Sequence, residues 1–132
     1  MGANKSTGIV CTDLGGPNAY GNIVYGAAVR RTQAIRLNSR YTCRWLIDWQ
    51  QTGAFGPRPL YALIVIGHEI AHTRGVRSEA QAECSGARAA LTEMRRIGIA
   101  RLEITRATKW LRERHDEFAP PAYRLAKMSC PF

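Results

Sequence analysis

The sequence predicts an α+β domain that is mostly helical, and three observations lead to this class. Apolar residues recur at helical spacing in four segments between residues 42 and 117. The two short segments interpreted as strands lie before residue 40. The 132 residues, 45% hydrophobic and 22% charged, suit one domain with a single core. We therefore treat residues 1–132 as one domain without internal repeats.

The amino-terminal third predicts a loop followed by a short β-hairpin. Residues 1–22 are rich in glycine and are interpreted as a loop-rich lead-in. Two short β segments follow, Ile23–Tyr25 and Gln33–Asn38. In the second segment, Ile35 and Leu37 alternate with polar residues, which is the pattern of a half-buried strand.

Periodicity, caps and breakers predict four helices: 42–51, 59–74, 78–96 and 103–117. Pro59 suits the first turn of the second helix, and Gly75 suits its end. Ser78 and Gln81 form a capping-box pattern that opens the third helix. A strand is the alternative for the β-branched run "ALIVI" at 62–66 inside the second helix.

The four cysteines predict two disulfides and hence an oxidising compartment. They are widely spaced and include no C-x-x-C pair, which argues against a zinc ribbon. Three pairings are possible. We favour Cys11–Cys43 and Cys84–Cys130, because the second bond would anchor the C-terminal tail, residues 119–132. Four free thiols in a cytosolic protein are the alternative.

The chain is expected to be secreted or extracytoplasmic, with a cytoplasmic location as the alternative. The first ten residues lack the features of a signal peptide, so we expect the leader to be missing from this chain. The longest apolar run, residues 60–66, is too short to span a bilayer.

The formal charge of +9 favours an acidic partner, such as an anionic surface, an acidic protein or nucleic acid. The alternative is a solvated basic surface without a specific partner. Nucleic acid is not the favoured partner, because no zinc-finger spacing or basic motif interleaved with aromatic residues is present.

The segment "GHEIAHTRGVRSEAQAEC", residues 67–84, carries the chemistry. His68 and His72 are four residues apart, so both imidazoles project from one helix face and can reach a single ion at about 2 Å. Glu69 lies roughly 100° further round the helix. It is therefore placed to act on a water molecule as a general base, as in the H-E-x-x-H motif.

The next helix supplies the remaining acidic groups. A catalytic zinc needs a third protein ligand, and Glu79, in the first turn after the Gly75 reversal, can point back at the histidines. Glu83, one turn later, can accept a hydrogen bond from a ligand histidine and fix its tautomer. The alternative is two core histidines beside ordinary helix acids. Burying so many ionisable groups together is costly unless something binds them, which favours the metal site.

"HEIAH" (68–72) followed by "SEAQAEC" (78–84) resembles the gluzincin metallopeptidases, in the branch whose second helix carries E-x-x-x-D. The resemblance implies a zincin-like core with one Zn²⁺ per chain. It assigns a role to five residues: the ligands His68, His72 and Glu79, the general base Glu69, and the supporting acid Glu83. Glutamate at 83 departs from the aspartate of the family pattern and is one methylene longer.

A narrower resemblance covers roughly residues 35–131, including "PPAYR" at 120–124. This part of the chain is similar to small, uncharacterised actinobacterial metallopeptidase-like proteins of the secreted class, and it implies no particular substrate. In gluzincins a strand above the metal pairs with the peptide substrate. The resemblance implies that Gln33–Asn38 is this strand.

Three late residues can donate a hydrogen bond to an oxyanion: Tyr123, Arg124 and His115. We take Tyr123 as the candidate oxyanion donor, with surface or packing roles as the alternative for all three. The sequence thus predicts a small zinc-dependent peptidase acting on a peptide or protein. The alternative function is a catalytically inactive, zinc-stabilised binding module whose basic surface recognises anionic partners; a nucleic-acid binder is a weaker third hypothesis.

Overall fold

The computed structural model describes residues 8–29 and 31–132, without the side chains of residues 127 and 128. Within these ranges the α+β, mostly helical class is confirmed. The strands and helices, in chain order, are β1 Ile9–Thr12, β2 Gly26–Val29, β3 Ala34–Asn38, α1 Thr42–Thr52, α2 Pro57–Thr73, α3 Glu79–Arg96, α4 Arg101–Glu113 and α5 His115–Phe118. The tail adds two 3₁₀ helices, Pro121–Tyr123 and Leu125–Met128.

The sheet has the strand order β1–β3–β2, with β3 parallel to β1 and antiparallel to β2. A hairpin is present, but the predicted first strand, Ile23–Tyr25, was wrong, because the strand that pairs with β3 is Gly26–Val29 and includes none of these residues. β1 lies inside the predicted loop-rich lead-in, so that prediction was wrong for Ile9–Thr12, while residues 1–7 lie outside the described residues. β1 is defined by its long-range pairing with β3, which a local pattern does not reveal.

The helix predictions hold with shifted ends. α2 starts at Pro57, two residues before the predicted start, and the strand alternative for residues 62–66 is excluded. Ser78 caps α3 as predicted, since its hydroxyl accepts a hydrogen bond from the Gln81 N–H at 3.3 Å. The single helix predicted at 103–117 is divided into α4 and α5 by a turn at Arg114. The turn places His115 in the interior.

The core lies between the sheet and the helices, and both predicted disulfides are present. Its largest buried apolar side chains come from β3, α2 and α3: Ile35, Leu37, Leu60, Tyr61, Ile64 and Met94. Cys11–Cys43 joins β1 to α1, and Cys84–Cys130 joins α3 to the tail. None of the described helices combines the length and apolar character needed to cross a membrane.

Two glycines allow α2 and α3 to pack backbone against backbone. A Cβ added at Gly86 would lie 2.4 Å from the Ile64 carbonyl oxygen and 2.8 Å from the His68 amide nitrogen. A Cβ at Gly67 would lie 2.8 Å from the Gly86 Cα. Such distances are below van der Waals contact, and rigid backbone atoms have little freedom to move away. This approach brings the acids of α3 close to the histidines of α2.

Gly86→Ala should therefore lower the free energy of unfolding by about 1–3 kcal/mol or more, the usual cost of overpacking. Urea unfolding measures this loss. Ser85→Ala is the matched control, because Ser85 is the preceding residue of α3 and is exposed. If Gly86→Ala is as stable as Ser85→Ala, the close crossing of the helices is wrong.

Candidate metal centre

The Nε2 atoms of His68 and His72 lie close together, and a hydrogen bond at each Nδ1 fixes the tautomer of the ring. His68 Nδ1–H donates to Glu83 Oε2 at 2.6 Å. His72 Nδ1–H donates to the Val76 carbonyl oxygen at 2.7 Å, which the Gly75 turn, at a φ of 97°, brings back over the helix end. A carbonyl and an ionised carboxylate only accept hydrogen bonds. Each histidine therefore keeps the lone pair of its Nε2, the atom available to a metal.

Glu79 completes a group of three acceptors. Its Oε2 lies 2.9 Å from His68 Nε2 and 3.2 Å from His72 Nε2, and the two Nε2 atoms are 2.9 Å apart. With both Nδ1 atoms protonated, these three atoms face one another through lone pairs, an arrangement that needs a shared proton or a cation. His68, His72 and Glu79 form the group of described residues that could hold a metal ion.

The donor set fits zinc. Two imidazole nitrogens and one carboxylate oxygen are the ligands of many catalytic zinc sites, which keep a fourth position open. Tetrahedral ligands at 2.0–2.1 Å would be separated by about 3.3 Å. The observed separations of 2.9–3.2 Å are only a few tenths of an ångström shorter. Glu79, whose side chain is 41% exposed, can lengthen its two distances at little cost. The 2.9 Å between the two nitrogens would widen by a small shift of His72, whose side chain is 14% exposed.

A buried chain of hydrogen bonds supports His68. The other oxygen of Glu83, Oε1, accepts from His115 Nε2 at 2.7 Å. His115 Nδ1 donates to Asp116 Oδ1 at 2.9 Å, and the Asp116 carboxylate accepts from the Leu125 and Ala126 backbone N–H groups at 2.7 and 3.0 Å. The predicted supporting role of Glu83 thus has a structural basis. The role of His115 beneath it was missed, because no motif or periodicity links it to residue 83.

The charges of the hydrogen-bonded side chains Glu83, His115 and Asp116 compensate one another. Burial alone would raise the pKa of the Glu83 carboxyl, but hydrogen bonds from His115 and His68 outweigh burial and lower it. Burial would lower the pKa of His115, but the hydrogen bonds to Glu83 and Asp116 raise it overall. His115 is completely buried and donates from both nitrogens to carboxylates. It therefore acts as the counter-ion of Glu83.

Glu69 lies in a cleft beside the metal group. The cleft, of about 290 Å³, is lined by Gly26, Ala27, Ala28, Glu69, His72, Arg77, Glu79 and Tyr123. β2 packs directly on α2 here, since a Cβ on Gly26 would lie 3.1 Å from the Glu69 Cγ. Burial raises the pKa of the Glu69 carboxyl, and the nearby His68 and His72 only partly offset it. A carboxyl of raised pKa exchanges protons more readily near neutral pH.

Tyr123 also lines the cleft. Its ring centroid lies 4.8 Å from that of His68. Burial, followed by the carboxylates of Glu79, Glu69 and Glu83, raises the pKa of Tyr123 to about 12. The phenol thus remains protonated and able to donate. Of the other predicted late donors, Arg124 is exposed and does not line this cleft, and His115 is buried on Glu83.

The strand beside the cleft is β2 and not the predicted Gln33–Asn38. β3, which occupies Ala34–Asn38, is the central strand and is paired on both sides. Its backbone groups therefore cannot pair with a substrate. The prediction failed because β1, which covers the second edge of β3, was taken for a loop.

No protein-family model, curated protein or solved structure matches the chain. What the site does is therefore inferred from its own residues.

Asp116→Asn should lower the free energy of unfolding at pH 6 by about 1–3 kcal/mol, because an ionised acceptor of three hydrogen bonds is lost. Burial raises the pKa of Asp116, but its hydrogen bonds outweigh burial and lower it below 3.8. The carboxylate thus stabilises the fold above pH 3.8, and this contribution disappears as the pH falls through the folded-state pKa.

Urea unfolding of the chelated protein between acid and neutral pH measures this difference. The gap between the wild type and Asp116→Asn should narrow below pH 3.8. Glu117→Gln is the control, since it removes only an exposed ion pair with Arg114 and should change stability by less than about 0.5 kcal/mol. If the difference in the free energy of unfolding between the wild type and Asp116→Asn does not depend on pH, the assigned role of the carboxylate is wrong.

Proposed function

We propose that this chain is a small zinc-dependent peptidase of the gluzincin type, with a zincin-like core. The observation that carries the proposal is the meeting of three acceptor atoms, His68 Nε2, His72 Nε2 and Glu79 Oε2, beside the buried Glu69. Both imidazoles donate from Nδ1 to fixed acceptors, so the group is prepared for a cation rather than for hydrogen bonds of its own.

Zinc, when bound by such a group, supplies Lewis acidity that polarises a carbonyl and acidifies a water molecule. The remaining chemistry belongs to the chain. Glu69 accepts the proton of the attacking water and passes it to the leaving amine, and its raised pKa suits both transfers. Tyr123, as a protonated phenol that lines the cleft, donates a hydrogen bond to the carbonyl oxygen as negative charge develops there.

The substrate in this proposal is an extended peptide that pairs with the open edge of β2. The Asn38 N–H donates to the Tyr25 carbonyl at 2.9 Å. In an antiparallel pair every second residue is hydrogen-bonded to the partner strand, and this bond fixes which residues of β2 face β3. By this alternation, Ala27 and Val29 bond to β3, while Gly26 and Ala28 direct their backbone groups outward. Both outward residues line the cleft, which supports recognition by strand addition.

A second candidate function is a zinc-stabilised binding module without turnover. The observation that favours it is a groove of about 600 Å³ on α3 and α4, away from the metal group. Its charged lining consists of four cations and a single carboxylate: Arg95, Arg101, Lys109, Arg112 and Glu113. Such a surface suits an anionic partner. Stoichiometric zinc without any cleavage of peptides would select this function over the peptidase.

Glu69→Gln should reduce hydrolysis of an unfolded protein substrate by about 10²–10⁴-fold, because the general base is lost. Zinc content should stay at one ion per chain, since Glu69 is not a ligand. Hydrolysis and zinc content are measured on protein purified with zinc, and a chelator-treated sample serves as the blank. Glu103→Gln, in the first turn of α4 and outside the lining of the cleft, is the control. Undiminished hydrolysis by Glu69→Gln would disprove the proposed mechanism.

Glu79→Ala should weaken zinc binding by more than the roughly 10–100-fold that loss of an outer partner costs, because it removes one of three ligands. Competition with a chromogenic chelator measures the affinity. Glu93→Ala, on the exposed end of α3, is the matched control. Zinc bound with wild-type affinity by Glu79→Ala would mean that Glu79 is not the third ligand.

Tyr123→Phe should lower kcat on the order of 10²-fold, with a small change in KM, because a donor acting on the transition state is removed. Zinc affinity should be unchanged, since the ring remains packed on His68. Steady-state kinetics of one peptide, at matched zinc occupancy, tests this. A change confined to KM would assign Tyr123 to substrate binding alone.

A further inference from the structure

We propose that His115 is a positioning residue for the metal centre. Together with Asp116 it forms a buried clasp that orients Glu83, and through Glu83 the ligand His68, while the same clasp holds the C-terminal tail. The inference rests on the proposed metal-binding role of His68, but it does not require peptidase activity.

The first step concerns the freedom of Glu83. A glutamate side chain has three rotatable bonds, so one hydrogen bond to a carboxylate oxygen leaves the group free to pivot. In Glu83 each oxygen has its own imidazole, His68 at 2.6 Å and His115 at 2.7 Å. Two anchors on opposite oxygens fix the plane of the carboxylate, and that plane sets the direction of the His68 ring.

The second step concerns what fixes His115 itself. Its ring packs against Tyr61 and Trp110, whose ring centroids are 6.0 and 5.8 Å away. Its Nδ1 is held by Asp116 at 2.9 Å, and the residue is 0% exposed. The imidazole therefore cannot turn without breaking two charge-assisted hydrogen bonds, of which the one to Glu83 is buried. It is a rigid support for Glu83.

The third step connects the clasp with the tail. Asp116 accepts hydrogen bonds from the backbone N–H groups of Leu125 and Ala126. The preceding tail residue Tyr123 packs on His68, and Cys130 is bonded to Cys84, the neighbour of Glu83. His115 is thus connected to the metal centre by two routes of contacts. One runs through Glu83 to His68, and the other runs through Asp116 and the tail.

Two substitutions of His115 separate these routes. The amide nitrogen of glutamine occupies the position of Nε2, and that of asparagine occupies the position of Nδ1. His115→Gln should keep the donor to Glu83 but lose the positive charge, so its zinc affinity should fall by less than about tenfold. His115→Asn should lose that donor and bind zinc about 10–100-fold more weakly, the usual effect of an outer partner. Glu117→Gln, an exposed neighbour on α5, should match the wild type.

A second readout needs no metal. In the chelated protein at alkaline pH, ¹⁵N spectra of the histidines should show His68 as one tautomer, protonated at Nδ1. His115→Asn should show a mixture of tautomers, and His115→Gln should resemble the wild type. If His115→Asn fails to fold, two measurements remain. The wild-type spectrum tests whether His68 is protonated at Nδ1, and the zinc affinity of His115→Gln tests whether a donor at the position of Nε2 preserves zinc binding.

Three results would overturn the inference. They are wild-type zinc affinity in folded His115→Asn, equal losses in the asparagine and glutamine variants, or His68 protonated at Nε2 in the wild type. Equal losses would show that His115 acts through its packing or its charge and not through the donor to Glu83. A protein that shows the expected affinities and tautomers but cleaves no peptide would disprove the proposed peptidase function and leave the role of His115 intact.

Discussion

The carboxylate of Glu83, held between two buried imidazoles, is the interaction on which the rest of the centre depends. An ionised carboxylate in the interior costs several kcal/mol unless it is paired and hydrogen-bonded. Glu83 is 1% exposed, and both of its oxygens are satisfied. The pairing requires α2, α3 and α5 to meet, because His68, Glu83 and His115 lie on these three helices. A loss of any one helix would leave a buried charge unpaired.

The backbone and the disulfides make this meeting possible in a short chain. The Gly67–Gly86 contact removes side-chain volume from the crossing of α2 and α3, so the acids lie close to the histidines. The disulfides close loops of 32 and 46 residues. In the chain-entropy estimate each stabilises the fold by about 4 kcal/mol. That gain offsets part of the cost of burying ionisable groups.

The sequence predicted those parts of the site that depend on local geometry. His68 and His72 are related by one helical turn, and Glu79 follows a glycine reversal and a serine cap, so all three could be placed together from spacing alone. β1 and His115 depend on contacts between residues more than 20 apart in the chain. Such contacts leave no periodic trace, so pattern reasoning missed them.

The two sides of the candidate centre differ in rigidity, and this difference decides how it can work. His68 is 3% exposed and is anchored through Glu83, whereas Glu79 is 41% exposed and borders the cleft. Ligand movement during ion entry or substrate approach therefore falls on Glu79, while His68 keeps its direction. Glu79 lines the cleft and His68 does not, so in the proposed function a peptide would meet Glu79 before His68. The buried side then has one task, to hold an imidazole with its lone pair turned toward that cleft.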